Sequence, residues 1–176
     1  MRRQANRTVD PIDVTDYDPS WPRWFERERE RLVGALGDVA VTIEHVGSTA
    51  VPGLAAKRVL DILMTAEPFP LPEPAIAAIE ALGYRYRGEN GIPGRQYFRT
   101  VPHARHLHVY APGHPDVERT LLFRDYLRTH PEAAREYEAL KRTLAERYPL
   151  DRGAYTEGKR AFVAAIVERA GVGRLT

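Results

Sequence analysis

The sequence predicts an α/β (α+β) domain: a mixed sheet flanked by helices, with a helical C-terminal region. Three observations carry this. Apolar and polar residues alternate in short runs through the middle of the chain, the pattern of half-buried strands. A Gly-Ser pair, Gly47-Ser48, ends one such run, and the next, Val59-Leu60-Asp61-Ile62-Leu63-Met64, holds a lone aspartate. From Pro115 onward the apolar spacing is helical.

In chain order, "DPSWPRWFERERERLVGALG" has a helix start in Ser20 and Pro22 and a stop in Gly37. Trp21, Phe25, Leu32 and Leu36 fall on one face, as expected of a helix packed on a core. Val39, Val41 and Ile43 alternate with Ala40, Thr42 and Glu44, predicting a strand that ends at His45-Val46. Residues 49–57 are expected to turn and form a short helical segment broken at Pro52-Gly53. Val59 to Met64 is the second predicted strand. "EPFPLPEP" is a proline-rich connector, and "PEPAIAAIEALG" a helix closed by Gly83. Three further strands are predicted over Tyr84 to Arg87, Gln96 to Val101 and His106 to Tyr110, with a glycine-rich, mobile loop "GENGIPG" between the first two. Three helices complete the chain, over "DVERTLLFRDYLRTH", "PEAAREYEALKRTLAERY" and "AYTEGKRAFVAAIVERAG".

A chain of 176 residues fits one domain, 1–176, with residues 1–12 expected to be flexible. A composition 43% hydrophobic and 28% charged excludes a wholly disordered protein. With no cysteine there is no disulfide, thiolate nucleophile or Cys-ligated zinc. "MRRQANR" is basic but lacks a following apolar stretch, so the expectation is a cytoplasmic protein without membrane contact. Twenty-six basic against 24 acidic side chains leave a net charge of +2, too balanced to signal nucleic-acid binding. Charge is concentrated between Tyr84 and His108, where five arginines and three histidines face the single acid Glu89. That stretch is either an anion-attracting surface or a solvated sheet face.

A strand that stops at Gly47-Ser48 and enters a helical turn offers main-chain N–H groups to a phosphate, and Ser48 and Thr49 add hydroxyls. Asp61 lies in an apolar run where an uncompensated charge is costly, so it is either paired for structural reasons or placed at the lip of a site. His106 and His108 are two apart on a predicted strand and so share a face. They are open to three readings: solvent-facing or hydrogen-bonded sheet residues, direct phosphate contacts, or metal ligands together with Asp61. That last set of two imidazoles and a carboxylate suits zinc, manganese, nickel or iron better than magnesium. His45 is either a further site candidate or a strand-end residue bonded to main chain. Only Lys57, Lys141 and Lys159 accompany 23 arginines, a bias that draws notice to each lysine. Lys57 precedes the aspartate strand, and Tyr155 and Lys159 are i and i+4 on one predicted helix face, facing either an acidic ligand or nearby glutamates. Arg99 and Arg105 are candidates for anion binding, and Arg95, on the loop, for closing over a ligand. Arg124 and Asp125 read as a salt-bridge pair or a tie from helix to sheet.

Twelve residues separate Ser48 from Asp61. On this interval the sequence resembles the nucleotidyltransferase superfamily, in which a Gly-Ser or Gly-Gly turn is followed about a dozen residues later by Asp-x-Asp or Asp-x-Glu on the next strand. More closely it resembles the GrpB family, through "YDPSWPRWFERERERL", "IEHVGSTAVPGLAAKRVLDILM", "RHLHVY", "LLFRDYLRTHPEAAREYEALKRTLA" and "YTEGKRAFV", which span nearly the whole chain. The resemblance implies a nucleotidyltransferase-like fold and, with the residue reading that adds Thr49, Lys57, Arg99 and Arg105, a phosphate-binding set that includes Gly47, Ser48, Tyr155 and Lys159. It also implies Asp61 as the catalytic carboxylate and the one that holds a divalent metal; His106 and His108 join it as metal ligands only on the reading of the residues themselves. Leu63 stands where the superfamily's second acid would lie. The implied function is metal-dependent nucleotidyl or phosphoryl transfer to or from a small phosphorylated molecule or nucleotide. The alternatives are an inactive nucleotide- or coenzyme A-binding module and a metal-dependent hydrolase. Because the family also occurs fused to some dephospho-CoA kinases, an association with coenzyme A biosynthesis is implied as well.

Overall fold

A computed structural model, describing residues 11–100 and 104–172, places five strands in one mixed sheet. They are β1 (Ala40–Val46), β2 (Leu60–Glu67), β3 (Tyr84–Tyr86), β4 (Gln96–Thr100) and β5 (Arg105–Tyr110), in the spatial order β1-β2-β5-β4-β3. β2 and β5 run parallel, and the other neighbouring pairs antiparallel. The helices are α1 (Trp21–Leu36), α2 (Glu73–Ala81), α3 (Pro115–Thr129), α4 (Pro131–Arg147), α5 (Arg152–Glu157) and α6 (Arg160–Val172). The expected mixed sheet flanked by helices, with a helical C-terminal region, is thus what the chain forms.

Period-two alternation divides the sheet into two faces of different purpose. Ile62, Met64 and Ala66 of β2, with Leu107 and Val109 of β5 and Phe98 of β4, pack against Phe25, Leu32 and Leu36 of α1 and Ile79 of α2. The opposite face carries Asp61 and Leu63. There Leu63 is buried with Val46 and Tyr110 against Val117 and Leu121 of α3. A second cluster joins Val51 and Leu54, from the loop after β1, to Leu127 of α3, Tyr137 of α4 and Ile166 of α6. The helical layer therefore reaches the Asp61 face by seating on the loop between β1 and β2.

Several boundaries differ from expectation for local reasons. β2 runs on to Glu67 because β1 pairs with it over its whole length, Thr42 and Thr65 meeting hydroxyl to hydroxyl at 2.5 Å. The stretch 154–171 is not one helix: Gly158 and Lys159 form a turn between α5 and α6. A Cβ on Gly158 would lie 2.5 Å from a Leu144 methyl of α4, so close packing requires a glycine at this point. Ser20 makes no side-chain cap; instead its N–H donates to Asp18 at 2.8 Å ahead of α1. Of the segment 1–12 expected to be flexible, residues 1–10 lie outside the described residues. Ile12, by contrast, is buried and donates its N–H to the Pro149 carbonyl at 2.7 Å. Val101, predicted as the end of β4, also lies outside them. The loop "GENGIPG" is tied down by a Gly94 N–H donated to Glu89 at 2.7 Å and by the Arg95 guanidinium on the Glu89 and Asn90 carbonyls. Among the described residues no helix is long and apolar enough to cross a membrane.

Candidate functional site

Asp61 stands first on the face of β2 turned toward the helical layer, at the end where β1 gives way to the Gly-Ser turn; Val46 is its partner in register. Gly47 follows at φ +72° and ψ −172°, a backbone region that side-chain-bearing residues rarely enter. A Cβ there would lie 2.6 Å from Asp61 Oδ2. The glycine therefore makes room for the carboxylate as well as forming the turn. Parallel pairing sets His106 beside Asp61 and His108 beside Leu63 on the same face. His106 Nδ1 is 3.2 Å from Asp61 Oδ1 and His108 Nε2 is 3.7 Å from the same oxygen. One ligand-type atom from each of the three side chains lies within 4.8 Å of the others, so the expected metal ligands do come together as a triad of the right chemistry for a divalent ion.

Burial alone would raise the Asp61 pKa, but its contacts with His106 and His108 outweigh it and hold the carboxyl well below the usual carboxylate range. Burial also pushes His108 down, against the pull of Asp61. Behind His108 lies Arg95, its guanidinium Nη1 3.1 Å from His108 Nδ1 and its Cζ 4.7 Å from the Tyr97 ring centroid. Arg95 is 6% exposed and held by main-chain carbonyls, so it does not close over a ligand as expected.

Opposite the triad, a cleft of about 270 Å³ is lined by the Gly47-Ser48-Thr49 turn, Asp61, His106 and all three lysines of the chain. The Lys57 and Lys159 ammonium nitrogens sit 5.0 Å and 4.5 Å from the centroid of the buried Tyr155 ring. Lys141, from α4, donates to the Ala55 carbonyl and lies 4.9 Å from the Tyr137 ring centroid. Glu138, one turn earlier, accepts the Ala55 N–H at 3.1 Å, so α4 clamps both main-chain groups of that residue. Burial lowers all three lysines, and lysine neighbours add to it in two: Lys141 falls to about 7, chiefly by burial and then by Lys159, and Lys159 to about 8, by burial and then by Lys57. Lys57 is lowered by burial too, with Asp61 opposing. Burial pushes the Tyr155 phenol up to about 12. Asp61 is the one acid among the lining residues, so the cleft is cationic.

Of the residues singled out in the sequence, Gly47, Ser48, Lys57, Asp61, His106, Tyr155 and Lys159 meet in this cleft. Thr49 lines it, but its hydroxyl is engaged by His45 Nε2 at 2.9 Å and lies 3.4 Å from the Val59 carbonyl. His45 itself is buried on the α1 side, stacked on Phe25 with centroids 4.8 Å apart, and burial lowers it to about 4. It is a structural residue. Arg105 corrects an expectation. It alternates with His106 and so projects from the opposite face, where it donates to the buried Glu28 at 2.7 Å. Arg31 and the Tyr84 hydroxyl complete that carboxylate's shell. Arg99 pairs in register with His106 and shares its face, but does not line the cleft. Arg124 is the expected tie from helix to sheet, donating to Glu44 and Asp125 at 2.7 Å each and to the His45 carbonyl at 3.0 Å. Sequence reasoning assigned Lys141 and Tyr137 no role. The scarcity of lysine was the signal that pointed to the former.

The family model described as GrpB protein matches residues 11–169, a span that contains every residue lining the cleft. A UPF0157 protein of Pseudomonas aeruginosa is 45% identical over 173 residues, covering 96% of this chain and 72% of that protein. A protein of Mycolicibacterium paratuberculosis named dephospho-CoA kinase is 29% identical over 187 residues, 91% of this chain but 46% of its own length. The crystal structure of the conserved protein GrpB from Enterococcus faecalis superposes with a TM-score of 0.87 at 35% identity, covering 93% of this chain and all of that one. Since the matched span takes in the sheet, the turn and the helical layer up to residue 169 of α6, this chain belongs to the GrpB family.

Proposed function

We propose that the cleft binds a nucleotide or another small phosphorylated molecule, and that Asp61, with a divalent cation, supports nucleotidyl or phosphoryl transfer to an acceptor hydroxyl. The observation that carries this reading is the meeting of all three lysines around a cleft that also holds Asp61. Crowded, partly buried ammonium groups repel one another, and a polyanion placed among them turns that repulsion into attraction. The Gly47-Ser48 turn offers hydrogen-bond donors to phosphate oxygens, and Lys57 and Lys159 offer point charges that adapt to them. Asp61 would hold the cation together with phosphate oxygens, and the ion when bound supplies neutralisation of their charge.

His106 places its Nδ1 toward Asp61, which orients the ring and leaves Nε2 as the lone pair that takes the acceptor's proton. As the acceptor oxygen bonds to phosphorus, the bond from phosphorus to the departing phosphate oxygen breaks, and the lysines hold the charge that develops there. The test is thermal unfolding with nucleoside triphosphates and Mg²⁺, Mn²⁺ or Zn²⁺, with phosphorus NMR to follow turnover. The proposal expects stabilisation by mass action and a metal-dependent product, and Asp61→Asn should abolish the product while the chain still folds. Neither stabilisation nor turnover with any donor would remove it.

A second reading, a binding module for a nucleotide or coenzyme A without chemistry, is favoured by Leu63. That side chain is sealed in an apolar cluster where a second metal-binding acid would be needed. The dephospho-CoA kinase relative supports trying coenzyme A and dephospho-coenzyme A as ligands. Stabilisation that is independent of metal and unaccompanied by turnover selects this reading.

A further inference from the structure

Arg95 dictates where His108 carries its proton. A guanidinium has donors only and stays protonated. With Nη1 3.1 Å from His108 Nδ1, the ring nitrogen must be the acceptor, and the proton of the neutral imidazole must sit on Nε2. That Nε2 is the atom facing Asp61 Oδ1, at 3.7 Å. Flipping the ring would put carbon at both positions and lose both contacts, and a second proton on Nδ1 would point at the guanidinium. Arg95 cannot swing away without leaving three hydrogen bonds to the Glu89 and Asn90 carbonyls and its place against Tyr97. A metal-ligating histidine has the reverse arrangement: the ligating nitrogen is bare, and the other donates its N–H to a carboxylate or carbonyl.

We infer that His108 is a positioning residue rather than a metal ligand: Arg95 fixes its proton on Nε2, and that N–H turns its positive end to Asp61 Oδ1 at 3.7 Å, beside the closer Nδ1 of His106 at 3.2 Å. The triad is then an anchored carboxylate with two imidazole neighbours, not a three-ligand cage. A divalent ion finds too few protein ligands to stay alone, and it enters with a ligand that brings phosphate oxygens of its own. This last step rests on the phosphate reading of the cleft; the His108 tautomer does not.

Nitrogen-15 NMR of the imidazole rings in the wild-type chain reads the tautomer directly, without ligand. The inference expects a bare Nδ1 and a protonated Nε2 at His108. Arg95→Gln replaces the donor with a side chain whose carbonyl can accept from Nδ1, so Zn²⁺ affinity without phosphate should rise by about tenfold or more. Arg95→Lys retains a donor, and should leave the tautomer and the weak metal affinity unchanged. A protonated Nδ1 in the wild type overturns the inference. So does wild-type Zn²⁺ binding without phosphate that His108→Gln weakens as much as His106→Gln does. If the tautomer is as inferred and no phosphorylated ligand binds, the proposed function fails while the role of Arg95 stands.

Discussion

Lysine carries the positive charge of the cleft, and arginine much of the charge that braces the scaffold. Arg95, Arg124 and Arg142 are each spent on two or more oxygens or ring nitrogens of the protein itself, and Arg105 on Glu28 and the Tyr84 ring, as suits a planar fork. The three ammonium groups are instead gathered beside tyrosine rings around an open volume. Gly47 shows the same division at the main chain, since its conformation and the nearness of Asp61 Oδ2 both exclude a side chain. Gly47→Ala should cost about 1–3 kcal/mol from backbone strain alone. It should also push the carboxylate away from His106, so urea denaturation will show lower stability and any polyphosphate-induced rise in melting temperature will shrink.

At the scale of elements, strands and helices were legible because periodicity in the sequence is a local consequence of burial. Trp21, Phe25, Leu32 and Leu36 do form the buried stripe of α1, and Gly47 does end β1. The need for glycine at position 158 was not legible, because Leu144, the side chain that leaves no room for a Cβ there, lies on another helix. Arg105 was misplaced for a related reason: the cluster of arginines and histidines between Tyr84 and His108 reads as one charged region. Strand alternation divides it, sending Arg105 to Glu28 and His106 to Asp61. Arg105→Met should therefore cost about 2 kcal/mol of stability by depriving a buried carboxylate of a charged partner. Calorimetry should find tripolyphosphate affinity unchanged, whereas an anion-site arginine would lose it.

On the scale of the whole molecule, the site is a meeting of two layers. The sheet supplies Asp61 and His106, the turn Gly47 and Ser48, and the helical layer Lys141, Tyr155 and Lys159. All of these but Lys141 were legible, from the spacing between Ser48 and Asp61, from the His106/His108 pair and from Tyr155 and Lys159 one turn apart in the C-terminal motif. Lys141 was not, because its position depends on how α4 seats on the loop between β1 and β2. The assembled charge gives a pH signature. Lys159 titrates near 8 and Lys141 near 7 in the folded chain, against an ordinary value of 10.5. The unfolded chain thus binds more protons from about pH 7 up to about 10.5, and this contribution makes stability rise with pH through that window. A bound polyanion restores the lysine protons, so binding near pH 8 takes up protons and weakens above it.

Titration calorimetry with tripolyphosphate, in buffers of differing ionisation enthalpy at about pH 7 and about pH 9.5, compares the wild type with the Lys57→Met/Lys159→Met chain. The account predicts binding at the lower pH with proton uptake, weaker binding at the higher pH, and none in the double variant. No binding by the wild type, or equal binding by the two chains, would contradict it.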